Sequence, residues 1–572
     1  MILTSHAFRV DGEARATRNQ YSTMKKGMRF ELCAATTIRS CPRVRSLSDD
    51  SKTVIRLLVV VALTILAITV SDMAVADDRP NFVVIISDDQ RSDALGKSGH
   101  PVIKTPNIDA LAGRGVHFIS AFVTSPICTP SRTSMLTGQY ERKHGVTFGS
   151  RSALSMNAFA KTYPAQIRAQ GYATAYIGKN HTPVGRSKRG FGYASGKFES
   201  GFDYWYGNHR HMGFYPKERH EIYRSSAEDT QIEILRDAAL NFIRGDTEQF
   251  VRTSKESAAV PGQPFLMIVS FNVPHANGVG SMEQRASDPG TYKNLYRDRE
   301  ELFPIPETYI AYGDIRKPKI PNSVYRNDYI DSYRYVRTPK TLIEHSLREA
   351  QTITGIDAMV GDLVRELEVL GLAKNTIIIY LSDHGVLHGE HGLGGKTLFY
   401  EEAIRIPFII FDPRNARGKK SPTENSLVLN LDLHPTLLDL AGLPIPAGTQ
   451  GRSLRPLMRG EIVPWRNDFL LENLFTGQGY PRIEGVRSER YKYIRYFDPG
   501  SNPSHLESLT ATIDGEQPVF EELYDLHSDP LETANLANMP EHAGTLNTLR
   551  TRCDSLLVEA IGGVERPDTI LE

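Results

Sequence analysis

Cys128 stands in the segment Ser125-Pro126-Ile127-Cys128-Thr129-Pro130-Ser131-Arg132, just past the apolar run Val116 to Phe122. A free cysteine packs like a small hydrophobe, so reactivity is what makes one notable. Pro130, with the helix-compatible Ser131 to Leu136 behind it, predicts a helix start at this point. A helix N-terminus offers unpaired N–H groups and a positive dipole end, so the segment describes an anion site with a reactive atom in its mouth. Taken alone, a structural cysteine after a strand would be the default reading. Two acids, Asp88 and Asp89, stand side by side after Asn81 to Ser87, and a third, Asp383, follows Thr376 to Leu381 with His384 next to it. Adjacent carboxylates repel one another, and three that converge on one crevice are what a hard divalent ion requires.

The longer pattern Cys-x-Pro-Ser-Arg, followed by Leu136-Thr137-Gly138, resembles the signature of the sulfatases. Further matches come in that family's order: Gly178-Lys179-Asn180-His181, Ser270-Phe271-Asn272-Val273-Pro274-His275, Ser382-Asp383-His384-Gly385, and Gly392-Leu393-Gly394-Gly395-Lys396. Tyr400-Glu401-Glu402, Arg405-Ile406-Pro407 and Glu522-Leu523-Tyr524-Asp525-Leu526 extend the resemblance over most of the chain from Arg79. It implies an alkaline-phosphatase-like α/β fold and oxidation of Cys128 to formylglycine by a formylglycine-generating enzyme. It implies one Ca²⁺ held by Asp88, Asp89, Asp383 and His384, with residue 128 itself completing the metal site. Where the family commonly has Asn, this chain has His384, as in members resembling iduronate sulfatase, and an imidazole is a softer ligand than an amide oxygen. The resemblance also assigns Arg132, Lys179 and Lys396 to the sulfuryl oxygens, Arg132 also to orienting the hydrate of formylglycine, His275, alone or with Lys396, to the leaving alcohol, and His181 to collapse of the hydrate, with Asp89 or Asp383 as base. His388 and His391, in the same glycine-rich loop, receive no fixed role.

Strands and helices must bring these groups together. Apolar runs at Asn81–Ile86, Val116–Phe122, Ala173–Ile177, Phe265–Phe271 and Thr376–Leu381 read as strands. Helices are expected from Thr105 to near Gly113–Gly115 and over Phe159–Ala169, Glu228–Phe242 and Ile353–Leu370. Such βα alternation predicts a large, mostly parallel sheet with helices on both faces. Each candidate site residue then falls just beyond the carboxyl end of a strand, where open α/β sheets bind ligands. After Leu454 the pattern changes to short aromatic strands and a closing helix near Glu541–Ile561, a small antiparallel α+β subdomain. The expected division is therefore 1–76, 77–455 and 456–572.

At 572 residues, with 40% hydrophobic and 23% charged residues, the chain is that of a globular protein of two or more domains. Lys plus Arg equals Asp plus Glu, 67 each, so no global charge argues for nucleic acid or an anionic membrane as partner. Leu57 to Val70 is an unbroken run of apolar residues and Thr behind Lys52 and Arg56, followed by Ala74-Val75-Ala76. It is short for a membrane span and suits a signal peptide cleaved after Ala76, with an extended n-region or a start at Met24 or Met28. Export to the periplasm or the exterior follows, without a stable span. Cleavage removes Cys33 and Cys41 and leaves Cys128 and Cys553, too few for a disulfide scaffold.

The expected activity is hydrolysis of sulfate esters, on a sulfated small molecule or, more specifically, a sulfated carbohydrate. A phosphonate monoester or phosphodiester hydrolase of the same superfamily is the alternative, and a non-catalytic glycan-binding relative a further one. The Tyr- and Arg-rich stretch from Ala276 to Lys340 is the expected specificity region.

Overall fold

The computed structural model describes residues 78–571 apart from short internal segments, the longest being 253–261 and 322–332. The leader, with its apolar run and cleavage site, lies outside the described residues. Five parallel strands form the centre of a nine-stranded sheet: β1 (Asn81–Asp88), β2 (Ala173–Asn180), β3 (Tyr204–His209), β4 (Phe265–Pro274) and β5 (Thr376–Ser382), in the spatial order β3-β2-β4-β1-β5. Beside β5 the sheet turns antiparallel with β6 (Phe408–Phe411) and then Val116–Phe118. The sheet is thus mixed but mostly parallel.

Alternation along β1 shows how both faces are buried. Phe82, Val84 and Ile86 enter one hydrophobic core, and Val83 and Ile85 enter another. The second core is closed by α1 (Pro106–Arg114), α4 (Gln231–Arg244) and α5 (Pro339–Val369), through Ile108, Leu235, Ile356, Met359 and Leu363 among others. The first is closed by α2 (Cys128–Thr137), α3 (Tyr163–Ala169) and α6 (Leu433–Leu440). Strands buried on both faces read as continuous Val/Ile/Leu runs, which is the composition of β1 and β5.

Several boundaries differ from expectation. Val116–Phe122 is two short strands, Val116–Phe118 and Ala121–Phe122, separated by a turn at Ile119 and Ser120. The helix expected over Phe159–Ala169 breaks into Met156–Ala160 and α3, because Thr162 and Pro164 start a new helix. Helix α5 is far longer than its periodic stripe, 31 residues from a Thr338 capping box and Pro339. The described part of 276–338 carries short helical turns and one isolated bridge, Tyr309 to Glu390.

After Leu454 comes a four-stranded antiparallel sheet, β7 (Asp468–Asn473), β8 (Ile483–Ser488), β9 (Tyr491–Tyr496) and β10 (Phe520–Asp525). One face adds Phe469, Leu471, Ile483, Ile494 and Tyr524 to the first core, so the change of sheet is not a break in packing. The other face is covered by α7 (Ala543–Ile561), which buries Cys553. Burial pushes the Cys553 thiol up to about 12, which makes it inert. Among the described residues no helix is long and apolar enough to cross a membrane.

Strand register carries the chemistry. Ser87 pairs with Ser382 and Ser270 pairs with Gly178, so Asp88, Asp383, Ser270 and Lys179 fall on one line across the sheet. Gly178 makes that approach possible: its φ is +96°, and a Cβ would lie 2.1 Å from the Ser270 carbonyl oxygen. Gly178→Ala should therefore cost about 1–3 kcal/mol of stability. It should also lower turnover by displacing Lys179. Melting and steady-state kinetics on the same sample check both effects, and an unchanged melting point would contradict this account of the strand pair.

Candidate active site

Cys128 is the first residue of α2, a helix in which all ten residues are buried and which ends on left-handed Gly138. Ser131, one turn on, donates to the Asp383 carbonyl and accepts from Asn430 Nδ2 at 3.0 Å, pinning the helix start against the end of β5. The Cys128 Sγ then lies 3.2 Å from Lys396 Nζ, 3.4 Å from His384 Nε2, 3.8 Å from Lys179 Nζ and 3.8 Å from Asp88 Oδ1. Burial raises its pKa, but Lys179 and Lys396 outweigh that, and the thiol lies below its ordinary value.

Asp88 ends β1 and accepts from Lys179 Nζ at Oδ2, with Arg132 Nη2 3.7 Å from Oδ1. Burial opposes ionisation of Asp88, yet Lys179 foremost among its neighbours holds it well below the usual carboxylate range. Asp89 sits in the left-handed region at φ 65°, a conformation Asp tolerates in tight turns. Its amide donates to Asp383 Oδ1 at 3.1 Å, and its own Oδ1 accepts from Lys396 Nζ at 2.8 Å. Its Oδ2 is buried with no hydrogen-bond partner, and burial pushes this carboxyl up to about 7. Asp89 is an acid short of positive charge.

One oxygen, nitrogen or sulfur from each of Asp88, Asp89, Cys128 and His384 lies within 4.8 Å of the others, a group able to hold a metal ion. The His384 Nδ1 is engaged with the Gly385 carbonyl at 2.9 Å, which leaves Nε2 facing the group. Burial disfavours charge on His384, but Asp383 in particular raises it to about 9. Asp383, expected among these ligands, lies beside the group rather than in it. Its Oδ2 accepts from Arg132 Nε at 2.8 Å, and its Oδ1 from the amides of Asp89 and His384. Arg132 also donates from Nη1 to Ser270 Oγ at 2.6 Å, while its buried Nη2 makes no hydrogen bond.

His275 follows β4 as the cap of a short turn, its Nδ1 accepting from Asn277 N at 3.0 Å and its Nε2 3.7 Å from Asp89 Oδ2. His181, just past β2, has a buried Nδ1 with no partner. Burial foremost depresses both imidazoles well below their usual value. The ten positions expected to carry a role thus belong to one region, while His388 and His391, which had none, pack against Glu349 and Tyr400. Lys179 lies inside β2 rather than after it, since β2 runs on to Asn180.

One residue was not foreseen. The His211 ring is 4.4 Å from that of His275 and 5.5 Å from that of His181, and its Nδ1 meets Asn272 Oδ1 at 3.1 Å. It follows β3, whose aromatic run Tyr204-Trp205-Tyr206 is β-prone and offered the missing signal. Above these groups opens a cleft of about 470 Å³, walled by Phe148, Tyr333, Tyr335 and Tyr480 and lined also by Cys128, His211, His275, Arg334 and Lys396. It is of ligand size.

A protein-family model described as Sulfatase matches residues 80–443, and one described as N-sulphoglucosamine sulphohydrolase, C-terminal, matches residues 389–507. N-acetylglucosamine-6-sulfatase of Capra hircus is 30% identical over 508 residues, 84% of this chain and 84% of its own. A protein solved in complex with its substrate D-glucosamine-2-N,6-O-disulfate superposes with a TM-score of 0.62 at 23% identity, over 86% of this chain and 99% of that one. The phosphonate monoester hydrolase of Agrobacterium radiobacter shares the fold at a TM-score of 0.62 and 21% identity, over 84% of this chain and 96% of its own. With the family model spanning well over half its length, this chain belongs to the sulfatase family, and it is a sulfuric ester hydrolase.

Proposed function

We propose that this sulfatase is exported and cleaves sulfate esters of a sulfated carbohydrate, using formylglycine made from Cys128 and one Ca²⁺. The observation that carries the reading is the setting of the Cys128 Sγ: buried at a helix start, within 3.8 Å of two ammonium groups and one carboxylate. Formylglycine at this position would supply, as its hydrate, an oxygen nucleophile for attack on sulfur. The amino-terminal leader and a formylglycine-generating enzyme belong to the same reading.

Asp88, Asp89 and His384 would hold the ion next to position 128, with Asp383 beside them, oriented by Arg132. The orphaned Asp89 Oδ2 fits a hard cation, which would also return that carboxyl to its ionised form. The ion would supply positive charge where the sulfuryl oxygens gather electrons.

The chain's own groups divide the remaining work. Lys179 and Lys396 both reach position 128 and stabilise the sulfuryl oxygens, and Arg132 orients the nucleophile. His275, with Nε2 turned toward Asp89 and its ring lining the cleft, is placed to protonate the departing alcohol. Asp89 is placed to take a proton from the nucleophile, and His181, with Nδ1 unpartnered, from residue 128 as sulfate departs. Three fixed cations around a small anion suit a singly charged sulfate ester. A doubly charged phosphate monoester is bound more tightly in the ground state without a matching gain in the transition state.

The aromatic walls support a sugar as the organic part, since ring faces pack on C–H faces. So do the relatives named for glucosamine sulfates.

Three outcomes are expected. Stripping divalent ions with a chelator should lower the melting temperature, and adding Ca²⁺ should restore it in the wild type but not in Asp88→Asn or Asp89→Asn. His275→Ala should lose about 10²-fold in kcat on sugar sulfates. The loss should be far smaller on 4-nitrophenyl sulfate, whose phenolate departs without a proton; an equal loss on both would remove His275 from this role. Peptide mass spectrometry should find formylglycine at position 128, and Cys128→Ser should cut turnover by about 10³-fold or more. Specificity constants for an aryl sulfate, an aryl phosphonate and a panel of sulfated sugars decide the reaction class. Phosphonate hydrolysis above every sulfate ester would overturn the proposal.

A further inference from the structure

The cleft above Cys128 carries a charge that the sulfate ester itself does not use. Its described lining includes two permanently cationic side chains, Lys396 and Arg334, and no Asp or Glu. Lys396 is bound to Asp89 Oδ1 at 2.8 Å and faces the Cys128 Sγ, so it is committed to the reacting group. Arg334 is exposed and has no carboxylate or hydrogen-bond partner among the described residues. A guanidinium without a partner among the described residues, at the rim of a ligand cleft, offers a five-donor fork to a ligand.

Its base is nonetheless rigid. Arg334 opens the helical turn Arg334–Arg337, which runs into the Thr338 capping box of α5. Tyr333 before it is buried, and Tyr335 after it stacks on His345 with ring centres 3.5 Å apart and planes at 8°. Val336 is buried against the glycine-rich loop that carries Lys396. The guanidinium is thus presented from a frame fixed on both sides, and little ordering of the backbone opposes binding.

We propose that the substrate carries a second anionic group besides the sulfate that is cleaved, and that Arg334 receives it from the rim of the cleft. This rests on the sugar-sulfatase reading above and narrows its substrate class to dianionic sulfated sugars. The second group is a sulfate or a carboxylate, both of which match the guanidinium fork in a bidentate pair. Neutral-bodied sugar sulfates leave Arg334 unused. Choline sulfate, with a cationic body, meets repulsion there.

The test compares matched substrates on the wild type and on Arg334→Gln and Arg334→Lys. N-acetylglucosamine 6-sulfate carries one anion. D-glucosamine-2-N,6-O-disulfate adds a sulfate, and N-acetylglucosamine 6-sulfate linked to a uronic acid adds a carboxylate. At least one dianionic substrate should exceed the monoanionic one in kcat/KM by about tenfold, and which one does so identifies the second group. Arg334→Gln should bring that ratio close to one, chiefly through KM, and Arg334→Lys should restore part of it. The wild-type ratio should also shrink with added salt, because a rim-exposed pair is screened. Equal kcat/KM for mono- and dianionic sugars, a ratio unchanged by Arg334→Gln, or choline sulfate as the best substrate would each overturn the inference. None of those results touches the sulfatase reading, which fails instead if no sulfate ester is hydrolysed.

Discussion

Three carboxylates and three cations share the buried end of one sheet, and their alternation of sign is the constraint on which the site depends. Removing an ion from water costs several kcal/mol unless opposite charge and hydrogen bonds replace the solvent. Here Asp88 faces Lys179, Asp89 faces Lys396, and Asp383 faces Arg132. Each pair joins a residue at the end of β1 or β5 to one from β2, from α2 or from the glycine-rich loop after β5. Neither β1, β2 nor β5 could shift along the sheet by one residue without unpairing a buried ion.

The surrounding packing makes that alternation rigid. Both faces of the central strands are covered, so their register is fixed by side chains in two cores at once. Helix α2 is wholly buried, and its start is tied to the Asp383 carbonyl through Ser131. The reactive position is therefore held from below by the sheet and from behind by the helix, and only the cleft side is open. Preorganised charge of this kind needs no rearrangement when the sulfuryl group gains electrons.

Much of this was legible in the chain because the central strands are pure in type. Asn81–Ile86 and Thr376–Leu381 leave no ambiguity of period, and the polar residues that follow them had to emerge at one edge. The short strands were harder. Val116–Phe122 looked continuous because Ile119 and Ser120 do not announce a turn. β3 was missed because Tyr204-Trp205-Tyr206-Gly207 is aromatic and glycine-interrupted rather than aliphatic, and His211 was missed with it. Nor could spacing say that Asp383 turns its carboxylate to Arg132 and two amides, since that choice is made by residues far away in the chain. Tyr333, Arg334 and Tyr335 lay in the stretch expected to set specificity, but nothing local distinguished them from other Tyr and Arg residues there.

The ion pairs at the sheet edge also bear on how this protein could evolve. Lys179 and Asp88 are both fully buried, as is Arg132 but for a few per cent of its surface. Replacing such a set together by apolar residues of matching volume is commonly neutral or stabilising, whereas removing one member strands its partner. The fold would be as firm, or firmer, without its reactive centre. Single substitutions on the way to that inert form pass through a buried, uncompensated charge. The active arrangement is thus kept from decaying one residue at a time by a barrier that instability itself supplies, quite apart from any loss of activity.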